Sequence, residues 1–103
     1  MADHIYLVLY DIGDDRRRQK AALLLERWGY ERLQWSVFTG LQPPYELDEL
    51  WGQLMALMRP EEWPNDKLCC LAVSRAALEG MRTLGAVTID LPYLLGDRKV
   101  LIF

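Results

Sequence analysis

Histidine and cysteine are scarce in this chain of 103 residues, which holds one of the first and two of the second. The single histidine, His4, stands close to the N-terminus, where chains are commonly mobile, so a hydrolase built on a Ser-His or Cys-His pair has one poorly placed base. Cys69 and Cys70 are adjacent within an apparent strand and point to opposite faces of it, which offers neither a disulfide framework nor a zinc site. Long apolar runs are missing as well. No stretch approaches the roughly 20 residues that a membrane-crossing helix requires, and no basic segment leads into a signal-type apolar region. A cytoplasmic protein without membrane contact is the expectation.

A positive balance of charge is lacking too. With 12 Lys and Arg against 15 Asp and Glu and a pI near 5.1, the average field does not draw nucleic acid, so any polyanion binding has to be local. Positive residues concentrate at 16 to 32, whereas Glu46, Asp48, Glu49, Glu61, Glu62 and Asp66 make the middle acidic. What is plentiful is apolar: 51% of residues, enough for one core in one domain over 1–103.

The run Ile5-Tyr6-Leu7-Val8-Leu9-Tyr10 is short, β-branched and aromatic, and reads as a strand buried on both faces, with Asp11 where solvent first reaches the sheet. Gly13-Asp14-Asp15 then turns the chain into a helix from about Arg16, with Asp14 as N-cap and Gly29 as the left-handed residue after its end. Ala21, Leu24, Leu25 and Trp28 make the core stripe of that helix. At about 100° per residue, Arg16, Lys20 and Arg27 share the opposite face, while Arg17 leans over the sheet end toward Asp11. The alternating segment from Leu33 to Leu41 is long for one strand and predicts two antiparallel strands joined within Trp35 to Val37, or one bent strand. Pro43-Pro44 ends it. A second helix carries Leu47, Leu50, Trp51, Leu54 and Met58 and stops at Arg59-Pro60.

A polar loop, a strand from Leu68 to Val73, a short helix capped by Ser74 and running through Leu84, and a last strand Val100-Leu101-Ile102-Phe103 complete the chain. The order β-α-β-β-α-β is the ferredoxin-like α+β arrangement, a four-stranded antiparallel sheet with the first strand inside it. The core then occupies 1–85. The segment 86–103 becomes a connection and a fifth strand, whose apolar residues are best covered by a second subunit's sheet edge, which makes a symmetric homodimer the natural assembly.

The strings YLVLYDIGDDRRRQKAALLLERWG, LQWSVFTG and PPYELDELWGQL resemble the CRISPR-associated protein 2 family, the small subunit of the spacer-acquisition machinery, over roughly residues 5 to 58. The resemblance implies a ferredoxin-like homodimer that binds duplex DNA along basic surfaces and bridges two dimers of the adaptation integrase, CRISPR-associated protein 1. Some members have been assigned metal-dependent endonuclease activity on RNA or DNA, and in others the role is structural. Asp11 matches the family's strand-end carboxylate, paired across the dimer axis with its symmetry mate. Ser36 and Phe38 match its Ser-Val-Phe positions, and the arginines after the Asp-Asp turn match its basic residues.

Beside each sharp reading of these residues stands a plain one. Asp11 is either one half of a shared Mg²⁺ or Mn²⁺ site or a turn-forming carboxylate bonded to neighbouring amides. Asp14 and Asp15 read as capping residues before they read as ligands. Arg16, Arg17, Arg18, Lys20 and Arg27 are phosphate contacts or a solvated helix face, and Arg17 would steady a phosphate attacked by water at Asp11. Phe38, Trp35, Trp28 and Trp51 read mostly as core, and Ser36 has no base beside it to become a nucleophile. Two further classes share the fold: a free-standing endoribonuclease of the toxin type and a regulatory domain that binds a metabolite at its dimer interface.

Overall fold

A computed structural model describes residues 3–86. In chain order the elements are β1 (His4–Asp11), α1 (Asp15–Arg27), β2 (Glu31–Gln34), β3 (Val37–Gln42), α2 (Pro44–Met58), β4 (Lys67–Val73) and α3 (Arg75–Glu79). The four strands form one antiparallel sheet in the order β2-β3-β1-β4, so β1 lies inside it as the apolar run predicts. This is the ferredoxin-like α+β arrangement. The expected last strand and most of its connection, residues 87–103, lie outside the described residues.

Local chemistry accounts for the element ends. Asp14 caps α1 by accepting from the Arg17 N–H at 3.1 Å, and Gly29 follows the helix at φ 90°, a conformation that costs glycine little. The segment from residue 31 to 42 is two strands, with Trp35 and Ser36 as the turn between them. Pro44 opens α2 at a position where its missing N–H has no helical partner, and Arg59 closes it in the left-handed region. Ser74 caps α3 through the Ala77 N–H at 3.0 Å, as expected, but the helix ends at Glu79 and does not continue through Leu84. Gly80 caps its C-terminus, since a glycine inside a five-residue helix would weaken it further.

Alternation along β1 divides the sheet into two faces. Tyr6, Val8 and Tyr10 point toward α1 and α2 and join Ile12, Ala21, Leu25, Tyr30, Phe38, Leu50, Leu54 and Met58 in the main core. Ile5 points the other way and packs with Leu78 of α3, Leu41, Val73 and Met81, while Leu7 and Leu9 on that same face stay half-buried among the described residues. Among the described residues, burial of β1 is therefore complete only on the face toward α1 and α2.

Gly40 of β3 is a requirement of this core. A Cβ added there would come within 2.6 Å of the Tyr30 ring, whose hydroxyl donates to Gln42 Oε1 beneath the sheet. Burial pushes the Tyr30 hydroxyl pKa up, so it remains a donor. Gly40→Ala is expected to destabilise the fold by about 1–3 kcal/mol through overpacking, read as a lower urea midpoint at unchanged slope.

Candidate functional site

The site gathers where β1 leaves the sheet. Asp11 is the last residue of β1, exposed, and paired in register with Lys67 of β4. Its alternation places it on the face of Ile5, Leu7 and Leu9, opposite the two long helices. Its carboxylate makes no hydrogen bond or ion pair with any described residue, so the turn-forming reading is not realised. The turn acceptor is Asp14 instead.

Arg17 does not lean toward Asp11. It is buried, and its guanidinium turns to the C-terminus of α2 and to Asp66 in the loop before β4. Nη2 donates to the Met58 carbonyl at 2.6 Å and more weakly to that of Leu57 at 3.4 Å, Nη1 donates to Asp66 Oδ2, and the Trp63 ring centroid lies 4.7 Å from the guanidinium carbon. The physical cause is an unmet charge. α2 ends without a basic residue in its last turn, and its free carbonyls at the negative end of the helix dipole attract a cation from α1. Asp66 completes the arrangement by accepting the Gly13 N–H at 3.1 Å, which ties down the chain two residues beyond Asp11.

The other basic residues separate into two sets. Arg16, Lys20 and Arg27 are exposed on α1 and form no ion pair among the described residues, as the helical spacing anticipates. Arg18 is half-buried, donates to the Ile12 carbonyl at 3.0 Å and pairs with Asp15. Ser36 sits in the β2–β3 turn and its carbonyl accepts the Tyr10 N–H at 3.1 Å, so its role here is carried by the backbone. Phe38 is fully buried beside Tyr10, their ring centroids 6.1 Å apart.

Comparison with known proteins follows the same lines. The profile of the family described as CRISPR associated protein Cas2 matches residues 4–79, three quarters of the chain. The chain belongs to the Cas2 family. A relative from Synechocystis named CRISPR-associated endoribonuclease Cas2 3 is 43% identical over 56% of this chain and 62% of its own length. One from Archaeoglobus fulgidus, CRISPR-associated endoribonuclease Cas2 1, is 39% identical over 55% and 61%. The match thus spans less than two thirds of these relatives. A Pyrobaculum aerophilum relative, CRISPR-associated endoribonuclease Cas2 2, is 34% identical over 77% of this chain and 84% of its own. Among solved structures, the hypothetical protein TT1823 from Thermus thermophilus superposes with TM-score 0.68 at 32% identity, covering 84% of this chain and 96% of that one. Cas2 of Streptococcus pyogenes shares the fold at TM-score 0.67 and 23% identity, with coverage of 79% and 99%.

In this Cas2 chain, residues outside the expected set also shape the site. Asp66 is legible in the sequence only as one more acidic residue of the middle segment, because its partner Arg17 lies 49 positions earlier. Trp35 alternates with Val37 and so reads as core, yet it is 67% exposed at the tip of the turn; Trp51 too is exposed rather than core, and Trp28 is half-buried. No helix among the described residues is long and apolar enough to cross a membrane.

The Asp66 carboxyl is held below its ordinary value of 3.8, first by the Arg17 hydrogen bond and then by the Gly13 N–H. The folded chain therefore binds this proton less tightly than the unfolded chain, and the resulting stability is present above 3.8 and lost as pH falls below it. Asp66→Asn is expected to lower the urea midpoint at neutral pH and to flatten its fall in that acid window, the two proteins converging at the acid end. A parallel fall in both would mean that Asp66 does not supply the linkage.

Proposed function

We propose that this chain is a CRISPR adaptation subunit that binds duplex DNA as a homodimer and bridges dimers of the adaptation integrase, and that Asp11 gives it metal-dependent phosphodiester hydrolysis. The observation that carries this reading is the placement of Asp11, an exposed and unpartnered carboxylate at the end of an interior strand. The face it shares is apolar, with Leu7, Leu33, Val37, Val73 and Leu78 lining an open concavity. A second copy laid on that face would bury this surface and bring a second Asp11 to the same rim. Membership in the Cas2 family supports a role in CRISPR, and the name endoribonuclease carried by curated relatives supports the hydrolytic half.

A divalent ion would have to find its ligands among these residues. Among the described residues no three His, Cys, Asp or Glu side chains converge, so Asp11 of one protomer is not part of a full ligand set. That carboxylate is the hard oxygen ligand Mg²⁺ or Mn²⁺ prefers, and its twin in a dimer makes the fit. Bound there, the ion would supply Lewis acidity toward a phosphate oxygen and a water of lowered pKa. The chain's own contribution is to hold Asp11 in place. The Gly13 N–H to Asp66 bond and the Arg17 to Asp66 pair fix the loop that follows it. Arg17 acts as a positioning residue in this reading, because its Nη1 and Nη2 groups donate to Asp66 and to the α2 carbonyls.

Arg16, Lys20 and Arg27 supply the duplex contacts, with no base preference. Replacing all three by Gln is expected to weaken duplex binding and to reduce the slope of log affinity against log salt by roughly 0.9 for each phosphate that is no longer neutralised. An unchanged slope would place the duplex elsewhere. Asp11→Ala is expected to abolish Mg²⁺- or Mn²⁺-dependent cleavage of DNA and of single-stranded RNA, tested side by side, while duplex binding and the dimer mass by light scattering persist. Cleavage that survives the substitution rules out Asp11 as the metal ligand.

A further inference from the structure

One aromatic side chain is placed where a core has no use for it. Trp35 occupies a two-residue hairpin turn, a position that usually favours glycine, asparagine or aspartate, and it remains 67% exposed. Two arginines hold it. The Arg32 guanidinium lies 5.4 Å from the Trp35 ring centroid and 5.0 Å from that of buried Phe38, so the three side chains are tied from the core to the surface. Arg18 lies 5.9 Å from the same ring and is itself fixed by the Ile12 carbonyl at 3.0 Å. Such a ring is pre-ordered and still accessible.

The concavity beside it is lined by Tyr10, Asp15, Arg18, Glu26 and Arg32 as well as Trp35. Two carboxylates offset two guanidiniums, so the hollow is not a plain phosphate site. It suits a group with a flat apolar face and a mixed donor and acceptor edge. The Tyr10 hydroxyl is buried beside the Arg32 guanidinium, so Tyr10 forms part of the wall of the hollow. The place is also suitable. The Tyr10 N–H bonds the Ser36 carbonyl, so the turn abuts the end of β1 one residue before Asp11.

We propose that Trp35, with Arg18 and Arg32, forms a stacking site for one unpaired nucleobase of a nucleic acid bound at the Asp11 end of the sheet. The proposal rests on the nucleic-acid-binding reading above and adds the single-stranded element that the duplex contacts do not specify. The base lies on the Trp35 ring, and the adjoining phosphate meets Arg18 or Arg32. Stacking of this kind accepts any base, since every base has a π-face.

The test compares three probes: a blunt duplex, the same duplex with a short single-stranded adenine tail, and that duplex with an abasic tail. Wild type is expected to bind the adenine-tailed duplex most tightly, and Trp35→Ala to weaken that complex by about 10-fold or more while leaving the blunt and abasic probes unchanged. Trp35→Phe should restore most of the loss, and the tryptophan fluorescence quenched by the adenine tail in wild type should be absent in Trp35→Phe. Equal affinity of wild type for all three probes overturns the stacking site and leaves the duplex reading standing. Failure of wild type to bind any probe overturns both. An equal loss on every probe in Trp35→Ala also overturns the proposal, because it marks a general contact. Trp35 is exposed, so these variants are expected to fold, which an unchanged urea midpoint confirms.

Discussion

The buried guanidinium of Arg17 is the contact on which the arrangement of this sheet end depends. It closes the C-terminus of α2, meets Asp66 of the following loop, and lies over the Trp63 ring, all from the first turn of α1. A charge so enclosed is tolerated because hydrogen bonds and a counter-charge meet it; removing one partner would leave the other stranded in a poor solvent. Through Asp66 the same contact reaches the Gly13 amide, just past Asp11. Secondary structure, loop path and candidate site are thus coupled in one local network.

Around that network the sheet separates two tasks. The helix face carries stability, with Val8, Leu25, Phe38 and Leu50 completely enclosed. The opposite face presents Leu7, Leu33 and Val37 only partly covered by described residues, and it is there that Asp11 projects. The alternation that makes Tyr10 a core residue makes its neighbour Asp11 a surface one, because successive side chains on a strand leave opposite faces. Chemistry at the rim and packing beneath it are consequences of the same pleat.

Much of this is readable from the chain. Asp14 as cap, Gly29 beyond α1, Ser74 before α3 and the interior position of β1 all follow from local rules about backbone donors, permitted φ and apolar patterning. The departures are also of one kind. Trp35 reads as core only if alternation is carried through a turn that interrupts it. α3 reads too long because Leu78 and Met81 both pack inward, although Gly80 ends the helix between them. Arg17 points to Asp11 on a helical wheel because a wheel gives a direction without saying what waits there.

The sequence by itself determined the order of the described elements, the family and the carboxylate at the end of β1, since each depends on residues close together in the chain. Only the tertiary structure decided how the charges are shared. Arg17 and Asp66 are distant in sequence and meet because α2 ends between them, needing a cation at its carbonyls. Trp35 and Arg18 meet because the hairpin turn and the start of α1 flank the same strand end. Periodicity records which face a residue occupies, whereas pairing between distant segments is set by the packing that brings those faces together.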